Sequence, residues 1–172
     1  GLSESDMWRF CLGTVRTGAY RRRIIFPSFD LDGELNYFVA RSIDKDSKRK
    51  YVNARSKKSE IIFNEYLIDF KSELVIVEGP FDLVKSAKNS VCILGSSISK
   101  NSYLFKRIVH NQTPVVIALD YDMREKTQKI ARLLSDYGCS VRIANIPEDN
   151  DIGDMSKIQA QEIIDDSSLW SR

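Results

Sequence analysis

Four short apolar runs in the second half of the chain constrain its fold more than any other feature. They are LVIVE (74–78), VCILG (91–95), VVIALD (115–120) and VRIAN (141–145). Continuous apolar runs of this length are typical of strands covered on both faces. Between them, helical patterns run through SKNSYLFKRIVHN, with Ser99 as N-cap, and through REKTQKIARLLSDYG, which ends at Gly138. The order βαβαβαβ predicts an α/β fold with a parallel sheet flanked by helices and right-handed crossovers.

The first 70 residues follow a different pattern. RRIIFPSF, then DLDG, then ELNYFVARSI predict a β-hairpin with a four-residue turn. Residues 1–72 hold 14 Lys and Arg against 10 Asp and Glu, whereas residues 73–172 hold 12 against 14. Within 41–58 there are eight basic residues and two acidic ones. We therefore predict a small basic α+β subdomain over residues 1–71 and an α/β domain over residues 72–172.

Several classes of protein are excluded by simple counts. The three cysteines are widely separated and there is one histidine, so neither a disulfide framework nor a Cys- or His-based zinc site is expected. No apolar run approaches the roughly 18–20 residues of a membrane span, and no signal peptide is evident. A soluble cytoplasmic protein is the expectation. The leading Gly1 and abrupt start favour a piece of a longer chain.

Acidic residues follow three of the predicted strands. In an open parallel sheet, ligands bind in the crevice outside the carboxyl ends of the strands. Carboxylates that converge there repel one another unless a cation neutralises them, and Mg²⁺ prefers such oxygen ligands, with Mn²⁺ as a substitute. The acids concerned are Glu78, Asp82, Asp120, Asp122, Asp149, Asp151 and Asp154. Taken one at a time, each also fits a helix cap or a turn residue, and Asp149 is expected to be solvated surface.

These motifs resemble the Toprim domain, the metal-binding module of DnaG-type primases, topoisomerases and several nucleases. LVIVEGPFD resembles its glutamate loop, ILGSS its small-residue turn and ALDYD its DxD pair. The resemblance implies that Glu78 is a metal ligand or general acid/base and that Asp120 and Asp122 are metal ligands. Asp82 and Asp151 match supporting acidic positions, with the choice between Asp151 and Asp154 left open.

The N-terminal part narrows the resemblance to the primase branch. RRRIIFPSFDLDGELNYFVARSI is similar to the hairpin of the primase polymerase core, and KYVNARS stands where primases carry a Lys-Tyr-Leu-Asn-Ser-Pro segment. This implies a metal-dependent RNA polymerase core that makes short primers on single-stranded DNA from ribonucleoside triphosphates. A helicase and a zinc-binding template reader are implied partners outside this chain. The residues implied to hold template or nucleotide are Arg23, Arg41, Lys50 and Asn53.

The chain departs from the primase pattern at several positions. Tyr121 replaces the usual glycine of the DxD pair, Arg124 and Glu125 replace a small Ala-Gly pair, and Gly153 stands where bacterial enzymes often have Asp. Three other functions remain open. A Toprim nuclease would use the same acids, and an inert DNA-binding replisome scaffold would use none of them. A haloacid-dehalogenase-type phosphatase is disfavoured because its DxD lies on the first strand and Arg124 occupies its Thr or Val position.

Overall fold

The structure is a computed structural model that describes residues 2–95, 97–148 and 150–171. The chain forms two compact units. The first comprises Gly1–Lys57 and Phe63–Tyr66, and the second comprises Lys58–Ile62 and Leu67–Arg172. The chain therefore crosses between the units more than once around residues 57–67. The domain boundary expected at residue 71 stays a prediction about independent folding.

The first unit is built on a four-stranded antiparallel sheet with strand order β1-β2-β3-β4. A short helix precedes the sheet, and the elements are α1 (Glu4–Arg9), β1 (Gly13–Thr14), β2 (Arg23–Phe29), β3 (Leu35–Ser42) and β4 (Tyr51–Asn53). β2 and β3 form the predicted hairpin, which is confirmed. Its turn is closed by Asp30, whose carboxylate accepts hydrogen bonds from the backbone N–H groups of Asp32 and Glu34, and Gly33 supplies the positive φ of +80°.

The second unit alternates strands and helices, as the apolar runs predict. Its elements are β5 (Leu74–Val77), α2 (Pro80–Lys85), β6 (Ser90–Cys92), α3 (Tyr103–Asn111), β7 (Val115–Ile117), α4 (Arg124–Asp136), β8 (Val141–Ile143), α5 (Lys157–Asp165) and β9 (Ser168–Leu169). Short 3₁₀ turns of this unit lie at Lys58–Glu60, Tyr121–Met123 and Ile152–Asp154, and another, Glu65–Leu67, lies where the chain passes from the first unit to the second.

The sheet of the second unit has the order β6-β5-β7-β8-β9. β5 to β8 pair in parallel, and β9 is an antiparallel strand at the edge. The predicted parallel α/β sheet is confirmed, with β9 as an addition that no apolar run indicates. Because β6 and β7 lie on opposite sides of β5, the strand order reverses between β5 and β7.

The core of this unit forms where both faces of the sheet are covered. All four residues of β5 and all three residues of β6 and of β7 are buried, so these strands carry no polar face. α3 contributes Leu104, Phe105 and Ile108, and α4 contributes Ile130 and Leu134. The helices thus bury one apolar stripe each against the sheet.

Helix caps show where the predicted boundaries hold and where they do not. In SKIQAQEIIDD the spacing of Ser156 and Gln159 predicts a capping box, and the two residues form one at the start of α5. The prediction of Ser99 as N-cap of α3 is wrong by three residues. Ser102 is the N-cap and accepts the Phe105 N–H, while the Ser99 carbonyl accepts the Ser102 N–H in the preceding turn. Serine is a preferred N-cap residue in either position, and only the geometry of the turn shows which of the two serines is the cap.

None of the described helices is long and apolar enough to cross a lipid bilayer.

Candidate functional site

The carboxyl edge of the parallel sheet collects the acids that follow its strands. Glu78 comes directly after β5, and Asp120 follows β7 after the buried Ala118 and Leu119. β5 and β7 are adjacent and parallel, and the strand order reverses between them. Such a reversal opens a crevice at the carboxyl ends of the strands. Glu78 and Asp120 therefore flank the position where a ligand of an open α/β sheet binds.

The loop after Glu78 is organised by the start of α2. Gly79 is the N-cap, in extended backbone conformation, and Pro80 takes the first helical position, where a missing N–H costs nothing. Asp82 reaches back to accept the Gly79 N–H at 2.7 Å. EGPFD thus specifies a sharp strand-to-helix turn that fixes Glu78 at the end of β5.

Asp82 holds two loops rather than pointing freely into the crevice. It accepts backbone hydrogen bonds from Gly79 and from Gly153 of the later acidic loop. Burial raises the pKa of Asp82 to about 6, and the nearby Asp151 and Glu78 charges contribute to the rise, while the two backbone hydrogen bonds oppose it. Its carboxylate therefore ties the start of α2 to the loop after β8.

Asp120 is the acid most affected by its neighbours. Burial raises its pKa to about 7, and the charges of Asp82, Glu78, Asp151 and Asp122 add to the effect in that order. Asp122 lies in the 3₁₀ turn Tyr121–Met123 that leads into α4 and is exposed. Contributions of this kind require that the four other carboxylates lie within electrostatic reach of Asp120.

The loop after β8 supplies the fifth acid. Asp151 is the N-cap of the turn Ile152–Asp154 and accepts the Asp154 N–H at 2.7 Å. The charge of Asp151 contributes to the raised pKa of both Asp82 and Asp120, and Asp154 is exposed. Asp151 is therefore the acid of this loop with a resolved effect on the cluster, and the choice between the two as a metal ligand stays a prediction. Asp149 lies outside the described residues.

Gly153 allows this loop to approach α2 closely. A Cβ atom on Gly153 would lie 2.8 Å from Asp82 Oδ1 and 3.1 Å from Asp151 Oδ1. Real Cβ atoms essentially never come within 3.0 Å of another heavy atom. The glycine at this position, one of the departures from the primase pattern, therefore lets two of the acids lie where a larger residue would displace them.

The basic residues expected to bind template or nucleotide lie in the first unit and differ in environment. Arg23 is buried, and its guanidinium donates to the backbone carbonyls of Ala40, Arg49 and Lys50. In this conformation Arg23 links β2 to the segment that leads into β4. These hydrogen bonds give Arg23 a structural role in the sheet, and its expected role in binding template or nucleotide stays a prediction.

Arg41 and Lys50 flank an exposed aromatic ring. Arg41 pairs with Tyr51 across β3 and β4, its guanidinium carbon lies 5.8 Å from the centre of the Tyr51 ring, and Lys50 Nζ lies 6.0 Å from it. Tyr51 is 43% exposed. Asn53, at the other end of β4, has a buried side-chain oxygen without a hydrogen-bond partner. Two cations beside one exposed ring is an arrangement that can bind phosphate and stack a base.

No family model matches the chain, but several curated proteins do. It is 31% identical to the DNA primase of Halalkalibacterium halodurans over 153 residues, which cover 81% of this chain and 25% of that protein. It is 32% identical to the DNA primase of Clostridium acetobutylicum over 149 residues, covering 77% and 24%. The chain is homologous to DnaG-type DNA primases. It spans about a quarter of the length of the primases it matches.

Solved primase structures share the fold of this primase homologue. The DnaG catalytic core matches with a TM-score of 0.78 at 17% identity, over 98% of this chain and 70% of that one. The E. coli primase catalytic core matches with the same TM-score at 18% identity, over 98% and 71%. A DnaG primase catalytic domain bound to single-stranded DNA matches with a TM-score of 0.72 at 19% identity, over 95% and 62%. The mixed α/β fold predicted from the sequence, with a Toprim-type sheet, is confirmed.

The primase-type acids fit a divalent ion held by few protein ligands. Within the described ranges, no group of three or more His, Cys, Asp or Glu side chains forms a ready-made metal cage. The donors present are carboxylate oxygens, and burial first and neighbouring carboxylates second raise the pKa values of Asp82 and Asp120. Mg²⁺ is usually bound through one or two carboxylates, with water and phosphate oxygens completing the shell. The residues fit that mode and not a closed protein cage.

Sequence reasoning missed one charged residue of the primase-type site. Lys126 Nζ lies 3.8 Å from Glu78 Oε1, so the acids do have a protein counter-charge nearby. The feature of the sequence that could have indicated Lys126 is its position in the first turn of a predicted helix, where acidic residues are preferred. The departures from the family pattern also meet here, because the Arg124 guanidinium lies 3.9 Å from the centre of the Tyr121 ring.

Proposed function

We propose that this chain is the RNA polymerase core of a DNA primase, a nucleotidyltransferase that joins ribonucleotides into short RNA primers on single-stranded DNA. The observation that carries the proposal is the convergence of five carboxylates at the switch point of a Toprim-type sheet, in a chain homologous to DNA primases. The solved structure of a primase catalytic domain with single-stranded DNA supports a DNA template.

A divalent metal ion is the cofactor that the homology implies, and we propose Mg²⁺, with Mn²⁺ as a substitute. Glu78, Asp120 and Asp122 are the proposed ligands, of which one or two would bind the ion directly while water and phosphate oxygens complete its shell, and Asp151 would support them. When bound, the ion neutralises charge on the reacting phosphates. Asp82 has a different part in this proposal. Its two backbone hydrogen bonds make it the residue that positions the loops carrying Glu78 and Asp151.

The acids alone would repel a nucleotide, so the reaction also needs cations on the protein. Arg41 and Lys50 are the proposed phosphate contacts, and Tyr51 between them offers a face on which a base can stack. Asn53 belongs to the same strand and brings a side-chain oxygen that lacks a partner. Arg23 enters the proposal as the residue that holds the strands in place, because its guanidinium already donates to three carbonyls.

The wider setting follows from the proposed reaction. Ribonucleoside triphosphates are the substrates, and a replicative helicase and a zinc-binding template reader are the partners expected from other parts of the replication machinery. The Aquifex aeolicus primase structure contains both a zinc-binding and an RNA polymerase domain, and this chain matches 44% of it. A cytoplasmic location in a bacterium or a phage-infected host completes the proposal.

Primer extension tests this proposal without depending on an initiation module. The chain is given an RNA primer annealed to a longer DNA template, labelled ribonucleotides and Mn²⁺, and the products are resolved at single-nucleotide length. Extension is expected for the native chain and is expected to fall by about a hundredfold or more in Glu78→Gln and Asp120→Asn, because each removes a proposed metal ligand. Asp166→Asn, an exposed acid after α5, is the control and should extend normally.

The other outcomes separate the rival functions. Cleavage of labelled DNA with no extension identifies a nuclease that uses the same acids. Binding of single-stranded DNA with neither extension nor cleavage, together with no affinity for Mn²⁺, identifies an inert scaffold. Equal extension by the native chain and both variants would show that the reaction takes place elsewhere.

A further inference from the structure

The first turn of α4 places a lysine against the acidic cluster. Lys126 Nζ lies 3.8 Å from Glu78 Oε1, and the two side chains are 23% and 22% exposed. Most ion pairs on a protein surface are exposed and contribute little. This one is partly withdrawn from water, so each charge depends more strongly on the other.

The position of Lys126 is unfavourable for its own helix. The start of an α-helix carries partial positive charge and favours acidic side chains, yet two of the first three residues of α4, Arg124, Glu125 and Lys126, are basic. Arg124 directs its charge onto the Tyr121 ring. Lys126 points instead at Glu78, where the carboxylates offset the unfavourable helix position. A residue that breaks a local rule beside a charged site is best explained by the site.

We propose that Lys126 is a resident counter-charge that competes with the divalent cation for Glu78 and thereby sets the affinity of the site for metal. This inference rests on the metal site of the proposed function. At low divalent concentration, the ammonium group neutralises Glu78. A divalent ion bound by Glu78 places two positive charges next to the ammonium, which must then move away.

The outer face of the same helix provides a matched control. Lys129 lies three residues further along α4 and pairs with Glu125 at 3.5 Å, with both side chains largely exposed. Replacing Lys129 removes the same unit of charge from the same helix and leaves the Glu78 contact intact. Comparison of the two lysines separates competition at Glu78 from a general change in net charge.

The test is a calorimetric titration of the full chain with Mn²⁺, in the absence of nucleotide and at fixed ionic strength. It is run at about pH 8, where acids with raised pKa values are ionised. Lys126→Met and Lys126→Gln are each expected to bind Mn²⁺ roughly three to ten times more tightly than the native chain, because the competing charge is gone. Lys126→Arg and Lys129→Met are expected to stay within about twofold.

Each remaining outcome counts against the inference in a recognisable way. If the native chain binds Mn²⁺ and both Lys126 variants bind it equally or more weakly, Lys126 does not compete and the metal site stands. If Lys129→Met tightens binding as much as Lys126→Met, the effect is net charge and not competition. If neither the native chain nor any variant binds Mn²⁺, the proposed metal site fails and competition at Glu78 fails with it.

Discussion

At the residue scale, the same burial that gathers the acids makes them unfavourable for folding. The pKa of Asp120 is raised from 3.8 to about 7, chiefly by burial and then by four neighbouring carboxylates. Well below about pH 4 it is protonated in both the folded and the unfolded chain. Between about pH 4 and 7 the unfolded chain loses this proton first, so stability falls as pH rises and then levels off. The ionised carboxylate of Asp120 therefore lowers the stability of the folded chain, and a bound cation would reduce that cost.

The first prediction concerns the effect of the Asp120 charge on the free energy of unfolding. Without divalent metal, Asp120→Asn is expected to raise the free energy of unfolding by about 1–2 kcal/mol above pH 7, after allowance for the partial exposure that screens the charge. The gain should shrink towards pH 4. Urea unfolding at several pH values measures it, with Asp166→Asn as the control. Parallel pH profiles for the native chain and Asp120→Asn would contradict the prediction.

Arg23 leads to a second prediction at this scale. Its buried guanidinium donates to three backbone carbonyls, so Arg23→Ala removes three hydrogen bonds and the packing of a buried side chain. We expect a loss of about 2–4 kcal/mol in the free energy of unfolding, measured in urea. Arg21→Ala, at an exposed neighbouring position, should leave stability unchanged. A stable Arg23→Ala variant with weakened DNA binding would instead return Arg23 to the template-binding residues.

At the scale of elements, the site is formed by the three loops that follow β5, β7 and β8, and contacts link these loops to one another. The loop after β5 is held by the cap of α2, and the loop after β8 packs against the same helix through Asp82 and Gly153. The turn after β7 leads directly into α4, which brings Lys126 to Glu78. A substitution in one of these loops is therefore expected to shift the acidic side chains of the other two.

Gly153→Ala tests this coupling. The added Cβ would lie 2.8 Å from Asp82 Oδ1, and Asp82 cannot move without weakening its hydrogen bonds to Gly79 and Gly153. We expect a loss of about 1–2 kcal/mol in the free energy of unfolding and weaker Mn²⁺ binding. Gly13→Ala is the control, since a Cβ there has nothing within 4 Å. If the two variants have the same free energy of unfolding and the same Mn²⁺ affinity, the close approach at Gly153 affects neither stability nor the site.

At the scale of the whole molecule, charge is divided between the two units. The first unit carries the two cations beside Tyr51, and the second carries the acidic cluster. The proposed polymerase activity needs both, because cations would hold the phosphates while the acids would hold the metal ion. Binding of nucleic acid and binding of metal are therefore expected to be separable by mutation.

Salt dependence of DNA binding tests that separation. Each cation that contacts phosphate adds about 0.7 to the slope of log K against log salt for single strands. The double variant Arg41→Ala, Lys50→Ala is thus expected to reduce the slope by about 1.4, measured by fluorescence anisotropy. Asp120→Asn should leave the slope unchanged. A native affinity that hardly varies with salt would contradict the phosphate role of these residues.

Much of this architecture could be predicted from the sequence because it depends on local rules. Buried strands need continuous apolar runs, hairpins need turn residues, and a capping box needs Ser and Gln three apart, as at Ser156. The same rules cannot choose between two serines at the start of α3, where Ser102 and not Ser99 is the cap. They also cannot show that Arg23, one cation among many, is buried.

The sequence by itself determined the alternation of strands and helices and the placing of acids at strand ends, since both follow from the order of residues along the chain. The tertiary structure alone decided which strand ends are neighbours. The order β6-β5-β7-β8 sets Glu78 beside Asp120, and the packing of α2 and α4 brings Asp82 and Lys126 to them. Electrostatic interactions depend on distances in space and not on separation along the chain. Which charges act on one another in the site could therefore be determined only from the folded structure.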